Sequence, residues 1–486
     1  MSVKDPSLDY EPLRRRPSKS IKEEDADEFS FKRAIPAASV DEEWTRAGSD
    51  TSTPQQTTTA NAKTEIRPLK ETWIHKHGHS LSYAGIFLFT AFVFFRPYEW
   101  STAFVPLKSA AFWIALATTF VFVLTQLGLE NRITARPREV ILVSLLLLIG
   151  LLSVPQALEP KRAWDGFVEF LKVVLIFIVM INVIRTEKRL KALWLLVLIA
   201  TCILSINALH DYVTGRLALQ GVRIKGSIGG LFDNPNDLAL HLVTMFPIAL
   251  ALFFTSRNPI TKIVFLSIAA LMMGGVVVTF SRGGFLAFVA VVGVLLWKFV
   301  RGSRWLIPLI VPVLVVAFVL FAPGGYRTRL ATTGDDSSVA RFDDLKRSLF
   351  IALRHPLLGV GIDNYILFSN ANKASHNSYT QVASELGAVA AVFYIMFLLA
   401  PLKGLRRIEQ LSYDVKAARR FHYASITLQA SLVGYMVASF FASVAFLWYI
   451  YYLVAYAVCL RRIHDSAVQQ DAALLPVMNS NLPAGT

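Results

Sequence analysis

The feature that most constrains this chain is a series of long apolar runs, each about the 17–25 residues that a helix needs to cross a bilayer. Twelve such runs follow one another, separated by short polar segments, near 80–96, 108–126, 138–154, 167–184, 190–208, 236–255, 260–280, 283–300, 304–322, 380–402, 420–441 and 443–460. Hydrophobic residues make up 54% of the chain. The pattern predicts an all-α polytopic membrane protein with about 12 transmembrane helices.

The positions of the basic residues predict how these spans are oriented. The net charge is +15, yet residues 1–76 carry 13 Lys and Arg against 14 Asp and Glu, so the surplus belongs to the membrane part. Lys and Arg gather in every second loop, for example at Arg132, Arg185, Arg257, Arg301, Arg406 and Arg461. Such loops usually stay in the cytoplasm. We therefore expect both chain ends in the cytoplasm and the alternate loops on the outer, periplasmic side. No basic stripe of a soluble domain is visible, which argues against nucleic acid as a partner.

Five regions are predicted along the chain. Residues 1–76 have low hydrophobicity and mixed charge, which indicates a disordered cytoplasmic tail. Residues 77–322 contain spans 1–9, residues 323–379 form a long periplasmic loop, residues 380–464 contain spans 10–12, and residues 465–486 form a second cytoplasmic tail. A loop as long as the third region usually has structure or function of its own.

Within that loop, the stretch SSVARFDDLKRSLFIALRHP predicts an amphipathic helix on the outer surface of the bilayer. Its apolar face would carry Val339, Phe342, Leu345, Leu349 and Leu353, and its polar face Arg341, Asp344 and Arg347. Ser337 or Ser338 would cap its start, and Pro356 would follow its end.

Three motifs meet on the predicted outer side. In GVRIKGSIGGLFDNPNDLALHL, Arg223 precedes a helix that Asn234 can cap, with Pro235 at its first position. In TFSRGGFLAF, Arg282 stands in a turn, and the two glycines after it allow a close approach of the backbone. In ASHNSYTQ, Ser378 and Gln381 have the spacing of a capping box, which would leave His376 and Asn377 just outside the helix.

Arginines beside helix N-termini are suited to a diphosphate, since the guanidinium fork and the free backbone N–H groups both bind phosphate oxygens. A histidine there, kept neutral by positive neighbours, is suited to act as a general base. The residues therefore predict His376 as the catalytic base and Arg223, Arg282 and Asn377 as substrate-binding residues. Each also has a structural reading: Asn234 and Ser378 act as caps, Arg282 anchors the chain at the interface, and His376 is simply solvated.

Other candidates carry less chemistry. Asp335 and Asp336 are paired carboxylates that suit either a divalent cation or a polar turn. Glu385, on span 10, is a carboxylate in an apolar segment and so a functional hypothesis by default. We interpret His241, His355, Cys202 and Cys459 as structural residues, and no metal or cofactor is predicted.

A transporter or flippase of lipid-linked sugars is an alternative function that would use the same arginines without any reaction. Such a protein would typically show internal repeats in its sequence, and none is visible.

The succession RIKGSIGGLFDNPNDLAL, SRGGFLAF, RFDDLKRSLFIALRHPLLGVGIDNY and SHNSYTQVASELG resembles the O-antigen ligase and polymerase superfamily of bacterial inner membranes. The resemblance implies a metal-independent glycosyltransferase with a C-type-like membrane fold. It would move a glycan from undecaprenyl diphosphate to lipid A–core or another surface acceptor on the periplasmic face, or polymerise repeat units. By motif, His376 resembles the histidine that activates the acceptor hydroxyl. Arg223 and Arg282 resemble the arginines that hold the lipid diphosphate, and Arg341 resembles a recurring arginine of the loop helix, which implies that it helps to bind the glycan or phosphate of the substrate.

Overall fold

The computed structural model describes residues 73–99, 102–130, 134–135, 137–216, 218–219, 223–226, 232–300, 312, 336–369, 374–413, 415 and 418–480. The first half holds helices α1 (Trp73–Phe95), α2 (Ala110–Glu130), α3 (Arg138–Ser153), α4 (Pro160–Val183) and α5 (Glu187–Thr214). An antiparallel hairpin of β1 (Ala218–Leu219) and β2 (Arg223–Ile224) follows. The second half holds α6 (Pro235–Thr255), α7 (Pro259–Val278), α8 (Arg282–Phe299), α9 (Asp336–Arg354), α10 (Ser378–Leu386), α11 (Ala388–Leu411), α12 (Arg419–Ala438) and α13 (Trp448–Ser480). Short 3₁₀ turns lie at Pro97–Glu99, Thr102–Ser109, Val154–Gln156, Tyr365–Phe368 and Ser439–Phe441.

Ten helical segments among the described residues are long and apolar enough to cross a membrane. They are His79–Glu99, Ala103–Gly128, Arg138–Gln156, Pro160–Val183, Glu187–Thr214, Pro235–Thr255, Pro259–Val278, Arg282–Phe299, Ala388–Leu411 and Arg419–Phe441. The predicted all-α polytopic membrane fold is therefore confirmed. Most of the predicted ninth span, 304–322, lies outside the described residues, as do residues 1–72 of the predicted N-terminal tail.

The end of the chain differs from the predicted twelfth span, 443–460. Helix α13 begins only at Trp448 and continues to Ser480, past the predicted start of a C-terminal tail. From Tyr449 to Leu460 every side chain of α13 is almost fully buried, as expected for a helix that is apolar on all sides. The residues before it, 439–447, form a 3₁₀ turn and an irregular stretch, here named the 439–447 segment.

The predicted tenth span, 380–402, is not one helix but two. Helix α10 ends at Leu386 and α11 begins at Ala388, with Gly387 between them at φ +90°. That conformation favours glycine, and a Cβ at Gly387 would lie 2.6 Å from the carbonyl oxygen of Pro356. The same oxygen accepts a 2.7 Å hydrogen bond from the Ala388 amide. The expectation of a continuous helix is wrong because a distant loop pairs with the backbone at the break.

That loop, residues 356–364, is named the clamp loop because it holds two parts of the bundle together. On one side the Val360 and Gly361 amides donate to the carbonyl oxygens of Ser384 and Glu385 at 3.0 and 2.9 Å. On the other side the Asn364 carboxamide oxygen accepts from the Glu159 amide at 2.9 Å. The Arg162 side chain also contacts Asp363, with a 3.0 Å ion pair and a 2.8 Å hydrogen bond to its carbonyl oxygen. The clamp loop thus fixes the end of α10 against the start of α4.

Helix α9 confirms the predicted amphipathic helix, with one correction at its start. It begins at Asp336, so Ser337 and Ser338 lie within the helix and not at the predicted N-cap position before it. Its exposed apolar side chains include Phe342, Leu349 and Leu353, which are 57%, 54% and 72% exposed. Ser348, Ile351 and Ala352 are buried on the opposite face. The predicted position of α9 on the bilayer surface remains a prediction.

Candidate functional site

The first motif forms the start of α6 as predicted. Asn234 is the N-cap, and its side chain accepts a 2.9 Å hydrogen bond from the Asn236 amide, with Pro235 at the first helical position. Just upstream, the chain folds back on itself, because the Gly226 amide donates to the Phe232 carbonyl oxygen at 2.8 Å. This fold brings β2, and with it Arg223, against the first turn of α6.

Asn236 joins the first motif to the second. Its Oδ1 atom accepts a hydrogen bond from Arg223 Nη2 at 2.9 Å and another from the Ser281 hydroxyl at 2.8 Å. Ser281 is itself the N-cap of α8 and accepts from the Gly284 amide at 3.1 Å. Arg282 is the next residue, the first of α8. The structure therefore brings Arg223 and Arg282 into one neighbourhood through a single buried amide.

The two glycines after Arg282 allow the close packing that the sequence predicted. A Cβ at Gly283 would lie 2.6 Å from the Cβ of Phe441, and one at Gly284 would lie 2.5 Å from the Cβ of Ala239. Real Cβ atoms essentially never come that close. The start of α8 is thus pressed against α6 on one side and against the 439–447 segment on the other.

The third motif forms the start of α10, with a different cap from the one predicted. Helix α10 begins at Ser378, and Asn377 is its N-cap, since its carboxamide oxygen accepts from the Tyr379 and Thr380 amides at 2.9 and 3.1 Å. The predicted capping box of Ser378 and Gln381 is therefore wrong. Both side chains instead contact the 439–447 segment. The oxygen of Asn377 is already used by the cap, and its role in substrate binding remains a prediction.

The 439–447 segment connects the second and third motifs. The Ser378 hydroxyl donates to the Ala442 carbonyl oxygen at 2.7 Å and accepts from the Val444 amide at 3.0 Å. The Ser375 and Ser443 hydroxyls lie 3.1 Å apart. Because Phe441 packs on Gly283 and its neighbours bind the residues on either side of His376, the starts of α8 and α10 lie at one end of the bundle.

Two turns of this end have unusual backbone geometry. Phe280, just before Ser281 and Arg282, has φ +50°, and His376 has φ +54°. Residues other than glycine rarely adopt this left-handed backbone conformation, and such backbone strain concentrates at functional sites. The buried Ser375 hydroxyl also donates to the Asn377 carbonyl oxygen at 3.0 Å, which spans His376 and helps to fix its backbone.

Arg341 and Glu385 are candidates on the elements that flank the three motifs. Arg341 is half-buried on the side of α9 that turns toward the protein. Glu385, in α10, is only 3% exposed, and burial raises the pKa of its carboxyl group to about 8. Hydrogen bonds from the Asp363 backbone and the Gln381 side chain lower that pKa and only partly oppose the burial. The carboxyl group of Glu385 is thus mostly protonated at neutral pH.

The arrangement has the parts of an anion site. Three helix N-termini, those of α6, α8 and α10, lie at the same end, one more than the sequence predicted, and each presents the positive end of a helix dipole. Arg223 of β2, Arg282 at the first position of α8 and His376 just before α10 lie beside these helix starts. Within the described residues, no group of three or more His, Cys, Asp or Glu side chains is arranged to hold a metal ion. Asn236 and the 439–447 segment were not among the predicted site residues, although the repeated Asn of DNPND was a signal for Asn236.

Comparison with known proteins supports the resemblance drawn from the motifs. Residues 267–395 match the family model described as O-Antigen ligase. This region covers most of α7 and all of α8, α9 and α10, and so contains Arg282, Arg341, His376 and Asn377, while Arg223 lies outside it. A search of curated proteins finds no match to the chain.

Proposed function

From the O-antigen ligase family match over residues 267–395, we propose that this membrane protein is a glycosyltransferase that moves a glycan from undecaprenyl diphosphate to a surface acceptor on the periplasmic face. The acceptor would be lipid A–core or a comparable glycan. The observation that carries the proposal is the common neighbourhood of the Arg223, Arg282 and His376 motifs, joined through Asn236 and the 439–447 segment.

In the proposed reaction, the imidazole of His376 takes the proton of an acceptor hydroxyl while the hydroxyl oxygen bonds to the anomeric carbon of the donor sugar. The bond from that carbon to the diphosphate oxygen breaks, and the electron pair leaves with undecaprenyl diphosphate. Arg223, Arg282 and the helix N-termini stabilise the negative charge that grows on the leaving group. A single displacement inverts the anomeric configuration and requires no metal ion.

The decisive experiment uses the full chain, reconstituted in proteoliposomes with a lipid-linked glycan donor and an acceptor. His376→Ala should lower glycan transfer by at least about 100-fold, because general base catalysis contributes about 10²–10⁴-fold. Donor binding should survive. His355→Ala is the matched control, since His355 is an exposed histidine of the same loop region and its removal should leave transfer unchanged. Transfer at the parental rate by His376→Ala would refute the assigned role.

The same assay distinguishes an enzyme from a flippase, and a ligase from a polymerase. An enzyme releases undecaprenyl diphosphate in proportion to the glycan transferred, whereas a flippase moves the intact lipid-linked sugar and releases none. Products that grow by repeat units on the donor lipid would indicate a polymerase. Products attached once to the acceptor would indicate a ligase.

A further inference from the structure

A cavity of about 440 Å³ lies between the start of α3, the second half of α11 and α13. It is far from the candidate site: Arg407 stands 19 residues after Ala388, about 28 Å along the helix axis at 1.5 Å per residue. Four cationic side chains line it, those of Arg138, Lys403, Arg407 and Arg461. The proposed glycan transfer uses none of them.

An ion pair between α3 and α13 forms one wall of the cavity. Arg461 donates from both terminal nitrogens to the two carboxylate oxygens of Glu139, at 2.9 and 3.0 Å, and Glu139 is 1% exposed. The Arg461 side chain packs closely on Gly404, where a Cβ would lie 3.0 Å from the Arg461 Cδ atom. Glu139 is therefore paired with Arg461 and does not neutralise the other three cationic residues, Arg138, Lys403 and Arg407.

Those three cations are the unusual feature. Arg138, Lys403 and Arg407 are exposed, and none of them forms an ion pair with another residue in the part of the chain that the structure describes. The second carboxylate of the cavity, Asp465, lies 3.5 Å from the ring of His464. The cavity thus holds more positive than negative charge and is open to a ligand that brings negative charge.

The apolar part of the lining indicates what kind of ligand this is. Ala400, Ile408 and Leu411 share the cavity with the cations, and both α3 and α11 are membrane-spanning segments whose ends meet here. Basic pockets between the ends of membrane helices bind anionic lipid headgroups. A free phosphate would leave both the apolar surface and much of the volume unused. We propose that this cavity binds the headgroup of an anionic phospholipid, with its phosphate among Arg138, Lys403 and Arg407, and that the lipid links α3, α11 and α13.

The test measures thermal unfolding of the purified full chain in a neutral detergent, with added phosphatidylglycerol, phosphatidylcholine or glycerol phosphate. Phosphatidylglycerol should raise the unfolding temperature by several degrees, phosphatidylcholine by clearly less, and glycerol phosphate not at all. Native mass spectrometry should find phosphatidylglycerol retained on the parental chain.

Arg407→Gln and Lys403→Gln should each lose at least half of the phosphatidylglycerol shift and of the retained lipid. Arg257→Gln is the matched control: it removes the same charge from an exposed residue just after α6, which does not line this cavity. An unchanged shift in both Arg407→Gln and Lys403→Gln would overturn the proposal. So would equal shifts with phosphatidylglycerol and phosphatidylcholine, and a full shift with glycerol phosphate would assign the cavity to free phosphate instead. Because Lys403 and Arg407 are exposed, both variants are expected to fold.

Discussion

Ser378 and Ala442 are 64 residues apart in the chain, and the hydroxyl of Ser378 donates a 2.7 Å hydrogen bond to the carbonyl oxygen of Ala442. This bond connects the first residue of α10 to the segment that also packs against Gly283 at the start of α8. His376 lies two residues before Ser378, so the bond controls where the proposed base stands relative to the arginine turns. Ser378 is in this sense a positioning residue.

Ser378→Ala is expected to lower kcat by about 10- to 100-fold with little change in donor KM, because a displacement of about 1 Å costs that much in a well-oriented reaction. Ser384→Ala is the matched control. Ser384 is equally buried on α10, but among the described residues its hydroxyl donates only to the carbonyl oxygens of Thr380 and Gln381 in its own helix. Steady-state kinetics with the reconstituted protein measure kcat and donor KM for both variants. If Ser378→Ala and Ser384→Ala have the same kcat, the contact with Ala442 does not position the site.

The bridge through Asn236 predicts a different kinetic effect. Asn236→Ala removes the hydrogen bond that holds the guanidinium of Arg223, and a bond to a charged group contributes about 1.5–3 kcal/mol. We expect donor KM to rise about 10-fold or more, with a smaller fall in kcat, since Arg223 is proposed to bind the diphosphate and to share with Arg282 and the helix N-termini the stabilisation of the charge that grows on it.

Asn258→Ala is the control for the loss of an asparagine at a helix start. Asn258 caps α7 at the opposite end of the bundle, where its side chain accepts from the Ile260 amide at 2.9 Å. The Asn258→Ala variant should lose some stability and keep the parental donor KM. An unchanged KM in Asn236→Ala would separate Arg223 from donor binding.

Part of the fold and of the candidate site can be predicted from the sequence, because these features depend only on residues close together in the chain. The long apolar runs predict membrane helices because the bilayer sets their length, and the Asn–Pro pair at 234–235 predicts the start of α6 because a cap needs only its own helix. The cap of α10 shows the limit of that reasoning. Asn377 and Ser378 are both good caps, and the choice depends on Ala442, which takes up the hydroxyl of Ser378.

The remaining features depend on partners far along the chain. Nothing near Gly387 marks it as a helix break, because a glycine within an apolar run is compatible with a continuous helix. The clamp loop, about 30 residues earlier, supplies the Pro356 carbonyl oxygen that stabilises the break. In the same way, Asn236 is an ordinary residue of a first turn until β2 and the α7–α8 turn converge on it. Such contacts are properties of the tertiary structure and have no local pattern.

The close approach at the start of α8 predicts a contrast between two glycines of one helix. Gly283→Ala would place a Cβ 2.6 Å from Phe441, so the 439–447 segment or α8 must shift, at a cost of about 1–3 kcal/mol. Gly293→Ala meets nothing within 4 Å and should be neutral or slightly stabilising, because alanine favours a helix over glycine by about 1 kcal/mol. Glycan transfer should fall in Gly283→Ala and stay at the parental rate in Gly293→Ala. Equal stability and activity in the two variants would show that the packing on Phe441 is dispensable.

Glu385 predicts a pH dependence of stability whose sign follows from its burial. Burial raises the pKa of this carboxyl group from 4.5 to about 8, so between those values the folded chain keeps a proton that the unfolded chain releases. Stability should therefore fall as the pH rises from about 5 to about 9, by on the order of 4 kcal/mol from this group. Glu385→Gln cannot ionise, and its unfolding temperature in detergent should fall less over the same range. Glu169→Gln, which removes a carboxylate from the exposed Lys172–Glu169 pair, should follow the parental curve. If Glu385→Gln also follows that curve, the buried carboxyl group is not the source of the pH dependence.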